Sequence, residues 1–246
     1  MIDVQTKTFA ELVSFDASNM GVSAHDTHAT TVLALRFKDG VLMLADRRAT
    51  MGNLIMFDHA EKVFELDDEM LIAISGSFAK SVEVCRFLKH SFKYYRRVTL
   101  NELSVKGKLQ EISRTLAQNA PAAMQGIGLF IPIVAAYDRE TGDFSVHFFD
   151  AAGAVFQNGA YACAGSGSER IRGVFEYIAR TQGPWESKTL KATLKEGLQM
   201  LEIAADLDSA TGGFSKVLPV AKVLTAKGVD LASDEELAES IKTLSR

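Results

Sequence analysis

Positive charge is not in surplus in this chain. Its 27 Lys and Arg are outnumbered by 31 Asp and Glu, for a formal net charge of −4, which argues against nucleic acid or an anionic membrane surface as partner. The one basic cluster, Lys89 to Arg97, reads as a solvated helix end whose cations complement the last carbonyls. Cysteine is scarce: Cys85 and Cys163 stand far apart among apolar neighbours without metal spacing, so two buried free thiols in a reducing compartment are expected. The five histidines build no metal site. His25 and His28 lie near the N-terminus, His59, His90 and His147 show no paired ligand spacing, and His147 reads as the polar face of its strand. Gly165-Ser166-Gly167 lacks the lysine of a nucleotide loop, so no cofactor is expected. The longest apolar run, Ile127 to Tyr137, is too short to span a bilayer and is interrupted by Pro132. The N-terminus has no basic segment followed by an apolar core. A soluble, cytoplasmic protein is the expectation.

Apolar residues are plentiful, 47% of 246 positions, enough to bury one large core. Residues 1–29 have no sustained period and read as an irregular leader; from residue 30 onward no linker interrupts the chain, so one domain is expected over 30–246. Thr30 to Phe37 and Asp39 to Asp46 form two apolar runs about a polar turn, a hairpin with a threonine pair at one edge and an aspartate at the other. Lys62 to Leu66 and Met70 to Ser75 read as a second strand pair. The period turns helical from Ser77, with Val82, Cys85, Leu88 and Phe92 on one face. A second helix is expected after a Thr99/Glu102 capping box and should end at Pro121. Ile127 to Asp138, Asp143 to Asp150, Ala154 to Gln157 and Tyr161 to Ala164 read as strands. Helices from Ser168 and through Leu190 to Leu201, a strand from Val217 to Leu224 and a helix capped by Ser233 and Glu236 complete the chain. Antiparallel strand pairs with helix pairs between them suit two stacked sheets with helices outside, an α+β class, rather than βαβ units.

A hydroxyl is a weak nucleophile unless a base stands beside it. Were the bond before Thr30 cut, the α-amino group of that residue would sit next to its own Oγ and accept its proton. An α-amine titrates near ~7.7 to 8, close to physiological pH, so such a base is poised for the task.

Several separated segments resemble one family. They are Thr30 to Leu35, Ala45 to Asn53, Lys62, Ser75-Gly76-Ser77, Ala122 to Gly126, Gly165 to Ser168 and Asp208 to Gly213, and together they resemble the β subunit of a bacterial proteasome core particle. The resemblance implies a four-layer αββα sandwich, the N-terminal-nucleophile hydrolase fold, and a threonine endopeptidase. It implies that residues 1–29 are a propeptide removed by self-cleavage between Ala29 and Thr30. The family usually has glycine before the threonine; alanine resists some of the backbone shapes glycine permits, so slower processing is the expectation.

By the same resemblance Thr30 is the nucleophile, with Asp46 and Lys62 beside it. The lysine cation stabilises the forming alkoxide and the carboxylate holds the lysine. Gly76 supplies the oxyanion-hole N–H, and Ser166, Asp208 and Thr211 support the amine. Ala49, Ala60, Phe64, Ile74, Phe78 and Val82 match the first side-chain pocket, apolar and uncharged, which predicts cleavage after large apolar residues. Backbone atoms of Thr50 and Gly76 pair with substrate in strand fashion. The implied partners are other β subunits in stacked heptameric rings, capping α subunits, an ATP-dependent unfoldase acting through the α rings, and unfolded protein or peptide as substrate. Two other readings stand beside this one: a catalytically silent ring subunit, and the simpler two-ring ATP-dependent protease of the same fold.

Overall fold

The computed structural model describes residues 30–52, 54–214 and 216–244; the expected leader, residues 1–29, and its boundary at Ala29 lie outside the described residues. Strands β1 (Val32–Phe37) and β2 (Gly40–Ala45) form the expected hairpin in antiparallel register. Alternate residues of β1 enter two different cores. Val32 and Ala34 join one cluster, while Leu33, Leu35 and Phe37 join another. A strand buried on both faces reads as an unbroken apolar run, which is why no alternation is visible in it.

Two five-stranded antiparallel sheets carry the fold. The first has the order β10 (Tyr161–Ala164), β1, β2, β11 (Val220–Thr225), β12 (Gly228–Leu231). The second runs β5 (Val63–Asp67), β6 (Met70–Ala73), β7 (Ile133–Asp138), β8 (Asp143–Phe149), β9 (Val155–Asn158). A short hairpin, β3 (Ala49–Met51) and β4 (Leu54–Phe57), forms a separate arm.

Three apolar clusters define the layers. Between the sheets lie mostly small residues, among them Val32, Ala34, Ala45, Ala73, Ala135 and Ala164, which let two sheets approach closely face to face. On the outer side of the first sheet, Leu33, Leu35 and Leu44 pack with Ile171 and Phe175 of α3 (Ser168–Gln182) and Leu198 and Leu201 of α4 (Leu190–Leu207). On the outer side of the second, Met70, Ile72 and Val134 pack with Leu88 and Phe92 of α1 (Phe78–Thr99) and Ile112 and Leu116 of α2 (Val105–Ala123). Helix pair, sheet, sheet, helix pair: this is the four-layer αββα sandwich. Helix α5 (Asp234–Lys242) adds Leu237 to the first-sheet side and begins with the expected Ser233/Glu236 capping box.

Local departures from the sequence reading have identifiable causes. Helix α1 runs through Thr99, whose Oγ1 donates to Tyr95 O at 2.9 Å, and ends at Leu100 in the left-handed region. The cap of α2 is therefore Ser104, not Thr99. Pro121 lies within the last turn of α2, where a missing N–H removes one bond without breaking the helix that continues to Ala123. Only Ile133–Asp138 of the apolar run from Ile127 is a strand; ahead of it Phe130 makes an isolated bridge to Gly76. His147 is 5% exposed rather than on a solvated face, with Ser145 Oγ 2.9 Å from its Nε2. The β3–β4 arm and β12 are found here and were not expected. No helix among the described residues is long and apolar enough to cross a membrane.

Candidate active site

The end of β1 places Thr31, the residue after Thr30, between two neighbours. Continuing the register of β1 with β2 and β10 sets Thr31 opposite Asp46 on one side and Gly165 on the other. Asp46 N donates to Thr31 O at 3.2 Å and Thr31 N donates to Asp46 Oδ1 at 2.9 Å. Gly165, at φ +99°, lies so close to Thr30 that a Cβ on it would come within 1.8 Å of the Thr30 carbonyl oxygen. No other residue fits there. Thr30 itself is 5% exposed.

Asp46 is buried and accepts four hydrogen bonds, which uses the full capacity of an ionised carboxylate. Oδ1 accepts from Thr31 N and from Lys62 Nζ at 2.7 Å; Oδ2 accepts from Arg48 N and Gly212 N, each at 2.9 Å. Lys62 also donates to Arg48 O at 2.6 Å. Its ammonium is buried, and that burial lowers its pKa below the ordinary lysine range, against the opposing pull of the Asp46 carboxylate and, more weakly, of Asp208.

A second cluster meets the first at Thr31. Ser166 Oγ donates to Asp208 Oδ2 at 2.6 Å, and Thr211 Oγ1 donates to the same oxygen at 2.6 Å. Thr211 has one hydroxyl proton, so the 2.7 Å contact between Thr31 Oγ1 and Thr211 Oγ1 has Thr31 as donor. Gly167 makes room for this pair, since a Cβ there would stand 2.3 Å from Thr31 Oγ1.

Gly76 occupies the turn between β6 and α1 at φ +98°, and a Cβ on it would meet Leu129 O at 2.4 Å. Ser77 N donates to Leu129 O and Ile131 N to Ser75 O, so Gly76 and Phe130 form a non-hydrogen-bonded pair. The N–H of Gly76 is thereby directed away from Phe130, free of the ladder.

The structure therefore brings Asp46 and Lys62 into contact and joins Ser166, Asp208 and Thr211 in one hydrogen-bonded set. Of the expected pocket residues, Phe64, Ile74, Phe78 and Val82 share one apolar cluster. Ala60 is buried, with its N–H donating to Arg47 O at 2.9 Å, while Ala49 opens β3 half-buried and Thr50 is buried beside it. Sequence reasoning missed Thr31, which links the two clusters, and Arg48, whose carbonyl holds Lys62 and whose guanidinium reaches Asp58, Ser209 O and Thr211 O. Backbone partners such as Arg48 O and Gly212 N carry no side-chain signal to read. Among the described residues no group of three or more His, Cys, Asp or Glu could hold a metal ion.

A family model described as Proteasome subunit matches residues 26–218. A proteasome subunit beta of Streptosporangium roseum is 36% identical over 220 residues, covering 88% of this chain and 76% of its own. Another, from Streptomyces griseus, is 31% identical over 220 residues with the same coverage. A third, from Acidimicrobium ferrooxidans, is 33% identical over 241 residues, 94% of this chain and 86% of its own.

Proposed function

The chain belongs to the proteasome β-subunit family, and from the two hydrogen-bonded clusters that meet at Thr31, the residue after Thr30, we propose that it is a threonine endopeptidase armed by cutting its own chain between Ala29 and Thr30. The observation that carries this reading is the buried Lys62–Asp46 ion pair, 2.7 Å long, whose carboxylate also accepts from the N–H of Thr31, the residue after Thr30. Burying a cation costs several kcal/mol of desolvation even when, as here, a carboxylate and a backbone carbonyl accept from it. Stabilising an alkoxide is a use that repays it.

The steps follow from the chemistry of the groups. The free α-amine of Thr30 takes the proton of its own Oγ, and the Lys62 cation favours the alkoxide. Oγ attacks the scissile carbonyl carbon, and the Gly76 N–H donates to the oxyanion. Such a donor contributes about 3 kcal/mol to the transition state. The amine returns its proton to the leaving nitrogen, leaving an ester on Thr30 that water, deprotonated by the same amine, hydrolyses. Ser166, Asp208 and Thr211 orient the amine through their hydrogen bonds. The six apolar pocket residues favour cleavage after large apolar side chains, and the Thr50 and Gly76 backbones align the peptide as an added strand.

In this reading residues 1–29 are a propeptide and 30–246 the catalytic domain. The subunit works in stacked β rings capped by α subunits, in the cytoplasm, on unfolded chains supplied by an ATP-dependent unfoldase. Intact mass of the chain, expressed with and without an α partner, tests it. Loss of residues 1–29 that disappears in a Thr30→Ala variant is the expected result. A full-length chain in assembled particles overturns it in favour of a silent ring subunit, and fastest turnover after Arg, Lys or Glu overturns the pocket reading.

A further inference from the structure

Behind the Asp46–Lys62 pair lies a second charged network displaced from it by one residue in sequence. Arg47 stands between Asp46 and Arg48, the two residues that hold Lys62 Nζ. Its Nη1 is 3.5 Å from Glu61 Oε2, and its Nε donates to Leu218 O at 3.0 Å. Glu61 immediately precedes Lys62, and its Oε1 is 3.1 Å from Lys222 Nζ. Lys222 Nζ also donates to the carbonyl of Val63, the residue after Lys62, at 2.6 Å. One ammonium thus grips both sequence neighbours of Lys62.

Lys222 comes from the other sheet. It lies on β11 with Val220 and Leu224, which share its parity and face the layer between the sheets, and it is paired in register with Met43 of β2. Val63 sits on β5, an edge strand, where Lys62 O is taken by Ile74 N at 2.9 Å on the β6 side. By the alternation of a strand, the Val63 carbonyl faces the open edge, where no ladder bond awaits it. Lys222 supplies that missing donor.

From this arrangement we propose that Lys222 is a positioning residue: with Glu61 and Arg47 it locks the strand end bearing Lys62 against the strand end bearing Asp46 and Arg48, and so fixes where the Lys62 ammonium stands. The three side chains are all partly exposed, so their ion pairs add little to global stability. Their effect is geometric. Lys62 must act on an oxygen at contact distance, and a shift of about 1 Å in a catalytic group is enough to lower turnover by about 100-fold.

This proposal rests on the threonine-peptidase reading, and two measurements separate their fates. On an apolar fluorogenic peptide, Lys222→Met is expected to lower kcat about tenfold or more with KM within about twofold, and Lys222→Arg to restore it. A Lys222→Met enzyme with kcat unchanged, in a protein whose activity Thr30→Ala abolishes, overturns the proposal alone. Activity indifferent to Thr30→Ala, or absent, ends the peptidase reading instead. The second measurement needs no turnover: in protein labelled with 15N-lysine, the buried ammonium of Lys62 gives a hydrogen-bonded side-chain NMR signal, assigned with Lys62→Arg. Lys222→Met is expected to shift or broaden it, while the signal of Lys108, a lysine of α2 held by Asp67 and Glu69 at the β5–β6 turn, stays in place. An unmoved Lys62 signal overturns the proposal whatever the activity.

Discussion

Lys62 Nζ lies 2.7 Å from Asp46 Oδ1 with 1% and 0% of the two side chains exposed. Neither partner has water to fall back on. Removing the carboxylate charge alone, in Asp46→Asn, leaves a buried ammonium against a neutral amide, a loss expected to cost about 3 to 5 kcal/mol of stability. Urea denaturation of the variant in a Thr30→Ala background reads this directly; a change under about 1 kcal/mol would mean that water reaches the lysine.

Gly76→Ala forces a side chain into a left-handed backbone and against Leu129 O. A strained φ of this kind costs on the order of 1 to 3 kcal/mol, and the collision adds to it. Melting temperature should fall, and peptide turnover should fall further than stability alone explains because the N–H is displaced.

Thr211→Ala removes a hydroxyl that both donates to Asp208 and accepts from Thr31. Thr211→Ser keeps both bonds. The alanine variant is expected to lose about 10- to 100-fold in kcat and the serine variant to stay within a few-fold of the parent, read by steady-state kinetics. Equal losses in both would show that the methyl, not the hydroxyl, matters.

Burial lowers the pKa of His147 below its ordinary 6.5, and its Nδ1 has no hydrogen-bond partner among the described residues. The unfolded chain therefore binds more protons than the folded one at pH values just below 6.5. Stability from this group is complete above that pH and declines as pH falls toward the lowered folded value. Denaturation midpoints at pH 7.5 and 5.5 should differ more for the parent than for His147→Phe.

Cys85 is buried, its thiol pushed up to about 12, and Cys163 is half-buried at about 11. Thiolate is the reactive form. Iodoacetamide at neutral pH should label Cys163 slowly and Cys85 only on unfolding, as peptide mass mapping would record.

The layered architecture was legible because burial writes itself into side chains. The runs of β1, β2, β6 and β7, and the three-and-four spacing of Val82, Cys85, Leu88 and Phe92, carry their packing in the sequence. Helix ends were less so: Thr99 and Ser104 are both capable caps, and only the tertiary position of α1 decides between them. The β3–β4 arm is nearly all exposed, with Leu54, Ile55, Met56 and Phe57 each more than 40% accessible, so no buried face sets a pattern. In the candidate site, Asp46, Lys62, Asp208 and Thr211 were named from their side-chain chemistry and their likeness to a family, and the structure joins Lys62 to Asp46 and Thr211 to Asp208. Arg48 O, Gly212 N and the Lys222 ammonium lay beyond reach, the first two because backbone atoms are the same in every residue. An inward lysine between sheets contradicts the pattern a strand is read by.

The four donors around Asp46 come from residues 31, 48, 62 and 212. They span most of the chain, and the last of them, Gly212, lies just beyond the end of α4. The contact with Gly212 bridges 166 residues, so the loop-closure entropy of that span must be met before it forms. In the proposed peptidase reading, a half-folded chain thus has Thr30 but not the full set of donors around Asp46. Completion of the fold is itself the safety catch.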